Sequence, residues 1–131
     1  MKILMVEDNA DLRDIYCTLF KSAGHETQPA INGIDGLEKT MDFKPDLIML
    51  DLLMPEMSGY GFLQSLHSEE FFPFIVVVSQ LSAQSDKDMA LASGAHGYLG
   101  KSDFIGQDLV NEVLRLYDEW LKKQVDAGAK N

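Results

Sequence analysis

Five charged or hydroxyl side chains follow short apolar runs of this sequence, and together they have the chemistry to handle phosphate. Glu7 and Asp8 follow Ile3–Val6, Asp51 follows Leu47–Leu50, Ser79 follows Phe74–Val78, and Lys101 comes just after Gly97–Leu99. Carboxylates set against Val, Ile and Leu are costly when nothing compensates them. A hard divalent cation held by oxygen ligands offsets that cost, which points to Mg2+, with Mn2+ as the alternative. Asp8 and Asp51 are candidates for direct ligands, the backbone carbonyl of Leu53 for a third, and Glu7 for a ligand through water. With no His or Cys in the group, zinc is not expected. In this company Asp51 is a candidate nucleophile toward phosphorus. The cation and Lys101 would offset the repulsion between a carboxylate and an incoming phosphoryl group, and Ser79 would donate a hydrogen bond to a phosphoryl oxygen.

Those residues converge only if the apolar runs are parallel strands whose carboxyl ends share one rim. Short apolar runs alternate with amphipathic segments five times. Behind the first run, Leu12, Ile15, Tyr16, Leu19, Phe20 and Ala23 recur at helical spacing over about Ala10–Ala23, and Gly24 supplies the stop. The second run, His25–Ala30, contains Pro29 and is therefore expected at a sheet edge. A short helix over about Gly33–Met41 is closed by Lys44-Pro45. Leu47–Leu50 and Phe74–Val78 are apolar on both faces, as central parallel strands must be. Helices are expected from Ser58–Gly61 to about Ser68, over about Asp86–Ser93 with Gly94 ending it, and over about Ile105–Val125. This pattern predicts an α/β fold, a flavodoxin-like (βα)5 doubly wound parallel sheet of order 2-1-3-4-5. Its ligand crevice lies where strands one and three diverge.

At 131 residues the chain fits one domain with a real core. The expected division is residues 1–125 as the domain and 126–131 as a short C-terminal tail. A net charge of −10 argues against direct nucleic-acid binding by this domain, because phosphate contacts need clustered Lys and Arg. No apolar run approaches the roughly 20 residues of a membrane span, and Glu7-Asp8 ends the first run too early for a signal peptide. An intracellular, cytoplasmic protein without membrane insertion is the expectation. Cys17, the only cysteine, rules out an intrachain disulfide and reads as a small filler near the edge of its helix's apolar face.

The chain resembles the receiver domains of two-component response regulators over essentially Lys2–Leu121. Val6-Glu7-Asp8 matches the acidic pair and Leu50-Asp51-Leu52-Leu53-Met54-Pro55 the phosphoacceptor loop. Met57-Ser58-Gly59 matches the entry to the third helix, Val78-Ser79 the hydroxyl position, and Gly97-Tyr98-Leu99-Gly100-Lys101 the aromatic and lysine positions. The resemblance implies that Asp51 takes phosphate from the phosphohistidine of a sensor histidine kinase or a phosphotransfer protein, with Mg2+ bound. Ser79 then moves toward the phosphoryl group and Tyr98 turns inward. The face made by the fourth helix, fifth strand and fifth helix changes shape, to control a protein partner or homodimerisation. No dedicated enzyme activity is implied beyond self-phosphorylation and slow autodephosphorylation.

The sequence departs from the family pattern in two places. Ser102 follows Lys101 where the family usually has a cis-proline; a cis bond to a non-proline residue costs about 3–4 kcal/mol, which favours a trans peptide and a less constrained Lys101. Gln80 replaces the usual small residue beside the hydroxyl and can narrow access to Asp51. Both support the alternative reading, a degenerate receiver that binds partners without phosphorylation. Leu53 and Leu81 are expected to flank an acyl phosphate and hinder attack by water. Leu53 also stands where an aspartate-nucleophile phosphatase needs its second acid, and Glu7-Asp8-Asn9 replaces the phosphate loop of a flavin carrier. On the last helix the apolar arc, roughly 160° wide at 100° per residue, has Leu116 and Trp120 on one edge and Leu114 and Leu121 on the other. These are candidates either for a partner surface or for covering neighbouring elements.

Overall fold

The structure, a computed structural model, describes residues 1–54, 57–66, 73–81 and 83–129. Pro55 of the phosphoacceptor loop and the expected end of the third helix at Ser68 lie outside the described residues. The elements are β1 Lys2–Val6, α1 Ala10–Ser22, β2 Glu26–Ala30, α2 Gly33–Phe43, β3 Leu47–Leu50, α3 Gly59–Leu66, β4 Phe74–Ser79, α4 Gln84–Ala92, β5 Gly97–Gly100 and α5 Gln107–Ala129. All five strands are parallel in the order β2-β1-β3-β4-β5, as the sequence predicts.

Strand periodicity sorts the core onto two faces of the sheet. Ile3, Met5, Leu47, Met49, Phe74, Val76 and Val78 pack with Tyr16 and Phe20 of α1 and Val110 and Val113 of α5. The alternate residues Leu4, Val6, Ile48, Leu50, Ile75 and Val77 pack with Phe62, Leu63 and Leu66 of α3 and Ala90 of α4. Cys17 is buried against the first of these faces.

Local chemistry sets the helix ends. Asn9 caps α1 by accepting from the Leu12 N–H at 3.1 Å, and Asn32 caps α2 by accepting from the Asp35 N–H at 2.8 Å. Gly24 and Gly94 follow α1 and α4 with φ of 94° and 115°, a conformation that glycine adopts without a Cβ penalty. The edge strand β2 is blunted: Pro29 has no N–H to offer, and its carbonyl accepts from Lys39 Nζ, which also pairs with Asp35. α5 runs past the expected boundary at Val125 to Ala129, so the segment read as a tail begins as helix. Leu116 and Trp120 are half-buried and pack against the core, whereas Leu121 and Val125 are exposed. Among the described residues, no helix is long and apolar enough to cross a membrane.

Candidate functional site

The carboxyl ends of β1, β3, β4 and β5 bring Glu7, Asp8, Asp51, Ser79 and Lys101 to one rim. A crevice of about 200 Å3 opens there, lined by Glu7, Asp8, Asn9, Leu12, Asp51, Leu53, Gln80 and Lys101. Backbone bonds fix the strand ends: the Asp51 N–H donates to Val6 O at 3.0 Å and the Lys101 N–H to Ser79 O at 2.8 Å. The loop after Asp51 is held from behind by Gly59, whose N–H donates to Leu52 O at 3.0 Å. A Cβ on Gly59 would stand 2.6 Å from Leu52 Cα and 2.7 Å from the Asp51 carbonyl oxygen, so only glycine lets α3 start this close.

Lys101 Nζ lies 2.8 Å from Glu7 Oε1 and 3.4 Å from Asp51 Oδ2. No described peptide bond is cis, so Lys101 reaches both carboxylates through a trans bond to Ser102. Asp51 Oδ1 accepts from the Leu53 N–H at 3.3 Å. Ligand oxygens of Glu7, Asp8 and Asp51 lie within 4.8 Å of one another. Glu7 and Asp51 are buried and Asp8 is exposed, so the cluster opens to solvent on the Asp8 side.

The electrostatics follow from this crowding. Burial, the hydrogen bond with the Asp51 carboxyl and the Asp51 charge push Glu7 from 4.5 up to about 7, against the pull of Lys101. Burial works against the Lys101 ammonium, but the hydrogen bond to Glu7 and the charges of Asp51 and Glu7 outweigh it and hold its pKa above the ordinary value. Glu7 Oε2 is buried and receives no hydrogen bond from a donor. Such an oxygen calls for a proton or a cation. Three carboxylates with no nitrogen or sulfur ligand, one of them with an orphaned oxygen, fit a hard divalent cation such as Mg2+.

Ser79 is fully buried, and its Oγ accepts from the Leu81 N–H at 3.1 Å. Tyr98 is half-buried and its hydroxyl donates to the Leu81 carbonyl. The structure therefore separates three side chains that the sequence grouped as neighbours of Asp51. Leu53 and Gln80 line the acidic crevice, whereas Leu81 lines a second crevice with Tyr98, Gln84, Lys87, Gly100 and Asp103.

Two residues of this region were not singled out from sequence. Arg13 of α1 donates from Nη1 to the Glu7 carbonyl at 2.8 Å and reaches the Asp8 carbonyl at 3.4 Å. Tyr16, one turn further along α1, lies under the site beside a cavity of about 10 Å3 that Glu7 and Asp51 also line, room for one water at most. Burial pushes the Tyr16 phenol up, and it feels the charges of Lys101, Glu7 and Asp51. Tyr16 falls on the apolar stripe of α1 and so reads as core; the partners of Arg13 are backbone atoms, which leave no mark in a sequence.

Comparison with known proteins agrees with this geometry. Residues 3–114 match the model of the response regulator receiver domain. The chain is 35% identical over 121 residues to a probable transcriptional regulator, ycf27, of Porphyridium aerugineum, covering 90% of this chain and 50% of that protein. It is 34% identical to the DNA-binding dual master transcriptional regulator RpaA of Synechocystis, covering 76% of this chain and 42% of that one. The chain thus spans about half the length of these curated relatives. Among solved structures, the receiver domain of the Francisella response regulator 1452 superposes with a TM-score of 0.81 at 27% identity, covering 90% of this chain and 97% of that one. The fold, the residues on its rim and these matches lead to one statement: the chain belongs to the receiver-domain family of two-component response regulators.

Proposed function

We propose that this chain is a phosphorylation-controlled switch in which Asp51 accepts a phosphoryl group from the phosphohistidine of a sensor histidine kinase or phosphotransfer protein. The observation that carries the reading is the setting of Asp51: a buried carboxylate with an ammonium at 3.4 Å and two further carboxylates within ligand distance. An Asp51 oxygen attacks phosphorus, the P–N bond breaks, and the imidazole leaves with the electron pair and takes up a proton. Glu7, Asp8 and Asp51, with the Leu53 carbonyl, would hold Mg2+, which supplies charge neutralisation and template for the transferring group. Lys101 Nζ, 3.4 Å from Asp51 Oδ2, would offset charge on the phosphoryl oxygens. Ser79 Oγ, which accepts from the Leu81 N–H, can donate its hydroxyl proton to a phosphoryl oxygen, and Tyr98, tied to the Leu81 carbonyl, responds to the same short loop. That coupling supports a change on the face of α4, β5 and α5 as the output, felt by a protein partner or a second copy of the chain. Two relatives are named as transcriptional regulators, which supports an output in gene regulation.

The test is incubation with Mg2+ and either a phosphorylated kinase or a small acyl phosphate, read by intact mass. Wild type is expected to gain one phosphoryl group and Asp51→Asn none. No gain on wild type with either donor refutes the switch and leaves a phosphorylation-independent interaction module.

A further inference from the structure

We propose that Arg13 is the positioning residue of the acidic pair, holding the backbone that aims Glu7 and Asp8 at the cation. The inference rests on reading the crevice as a divalent-cation site. Val6 ends β1, so Glu7 and Asp8 lie beyond the strand and need other anchors. The Glu7 N–H donates to Ala30 O at 3.1 Å, at the end of β2. Its carbonyl accepts from Arg13 Nη1 at 2.8 Å, and the same nitrogen reaches the Asp8 carbonyl at 3.4 Å. The Glu7 peptide is therefore gripped on both sides, and Asp8, whose side chain is exposed, takes its direction from the backbone under Arg13. Arg13 itself is fixed by the helix: its N–H donates to Asn9 O at 2.9 Å, and Asn9 caps α1 through the Leu12 N–H. One guanidinium thus ties the capped end of α1 to the two residues that present carboxylates.

The arrangement sets two effects of opposite sign against each other. A guanidinium beside a divalent-cation site repels the ion through space. The same group, by fixing the Glu7 and Asp8 carbonyls, removes the need to order that loop when the ion binds. The geometry favours positioning, because the Arg13 guanidinium donates to the Glu7 and Asp8 carbonyl oxygens. A charge-only role and a positioning role then predict changes in opposite directions when the guanidinium is removed.

The experiment is calorimetric titration of Mg2+ into wild type, Arg13→Gln and Arg13→Lys, with thermal unfolding of each in chelator and in saturating Mg2+. Arg13→Gln is expected to bind Mg2+ about tenfold more weakly, equivalent to about 1.4 kcal/mol, and to show a smaller Mg2+-induced rise in Tm. Arg13→Lys, which keeps the charge with a single point donor, is expected to fall between. A purely structural role would lower Tm equally with and without Mg2+ and leave the affinity unchanged. Affinity in Arg13→Gln equal to or tighter than wild type overturns the proposal. Absence of Mg2+ binding by wild type overturns the cation site itself and the proposal with it.

Discussion

Replacing Glu7 by Gln is expected to stabilise the metal-free domain above neutral pH while weakening its response to Mg2+. In the folded chain the Glu7 carboxyl is pushed to about 7 by burial and by Asp51, whereas an unperturbed Glu releases its proton near 4.5. Between those values the folded state binds more protons than the unfolded state, so stability falls as pH rises. The contribution is fully present below pH 4.5, declines through the window, and is lost above about 7. At 1.36 kcal/mol per pH unit the gap corresponds to roughly 3 kcal/mol. Gln stays neutral throughout and avoids this loss, but Lys101 gives up its 2.8 Å ion pair with Glu7. The net gain at pH 8 is therefore set at about 1–2 kcal/mol, or roughly 3–8 °C in Tm for a domain of this size. The assay is thermal unfolding in chelator from pH 5 to 8.5, taken as the difference between variant and wild type so that other titrating groups cancel. That difference should grow with pH and level off above about 7. Saturating Mg2+ at pH 8 should raise the Tm of wild type much more than that of Glu7→Gln. A variant less stable than wild type at pH 8, or a difference that does not change with pH, refutes the reasoning.

Gly59→Ala places a Cβ against two backbone atoms of the Asp51 loop; a loss on the order of 2–3 kcal/mol in urea unfolding is expected, together with slower phosphorylation of Asp51 by intact mass. Leu53→Asn should speed loss of the phosphoryl group from Asp51 by about tenfold, or about 1.4 kcal/mol of barrier, because Leu53 lines the crevice. Leu81→Asn, on the far side of Ser79 with Tyr98, should leave that decay unchanged, and equal rates in wild type and both variants would show that access of water is set elsewhere.

How far the sequence carries differs from element to element. β3 and β4 are legible almost residue by residue because runs apolar on both faces are bounded by Asp46, Asp51 and the polar loop after Ser79. Their two-sided burial puts them at the centre of the sheet, and Pro29 in the second run puts β2 at an edge. The rim residues follow from that topology, since a parallel sheet delivers every strand end to one side. The end of α5 is less legible: Lys122, Lys123, Gln124 and Ala127 are good helix formers without an apolar pattern, so the pattern stops at Val125 while propensity carries the helix to Ala129. Leu81 is harder to place for a different reason. Counting two residues past Ser79 says nothing about which way the loop turns, and the loop, with the Leu81 N–H bonded to Ser79 Oγ, places Leu81 in the crevice that Tyr98 lines. Arg13 is invisible for a third reason, because it acts on carbonyls that every residue possesses.

Trp120, the only tryptophan of the chain, sits 5.4 Å from Phe74 and 5.2 Å from His96, at the end of the sheet where β4 and β5 begin. Ser79 is five residues further along β4, roughly 17 Å away at the rise of a strand. The natural fluorophore of this chain is thus remote from the rim where the proposed ion and phosphoryl group would sit, too far for direct contact with either. A change in its emission on Mg2+ binding or phosphorylation would have to travel through β4, β5 or α5. Paired with calorimetry, intrinsic fluorescence then reports transmission through the sheet separately from occupancy of the site.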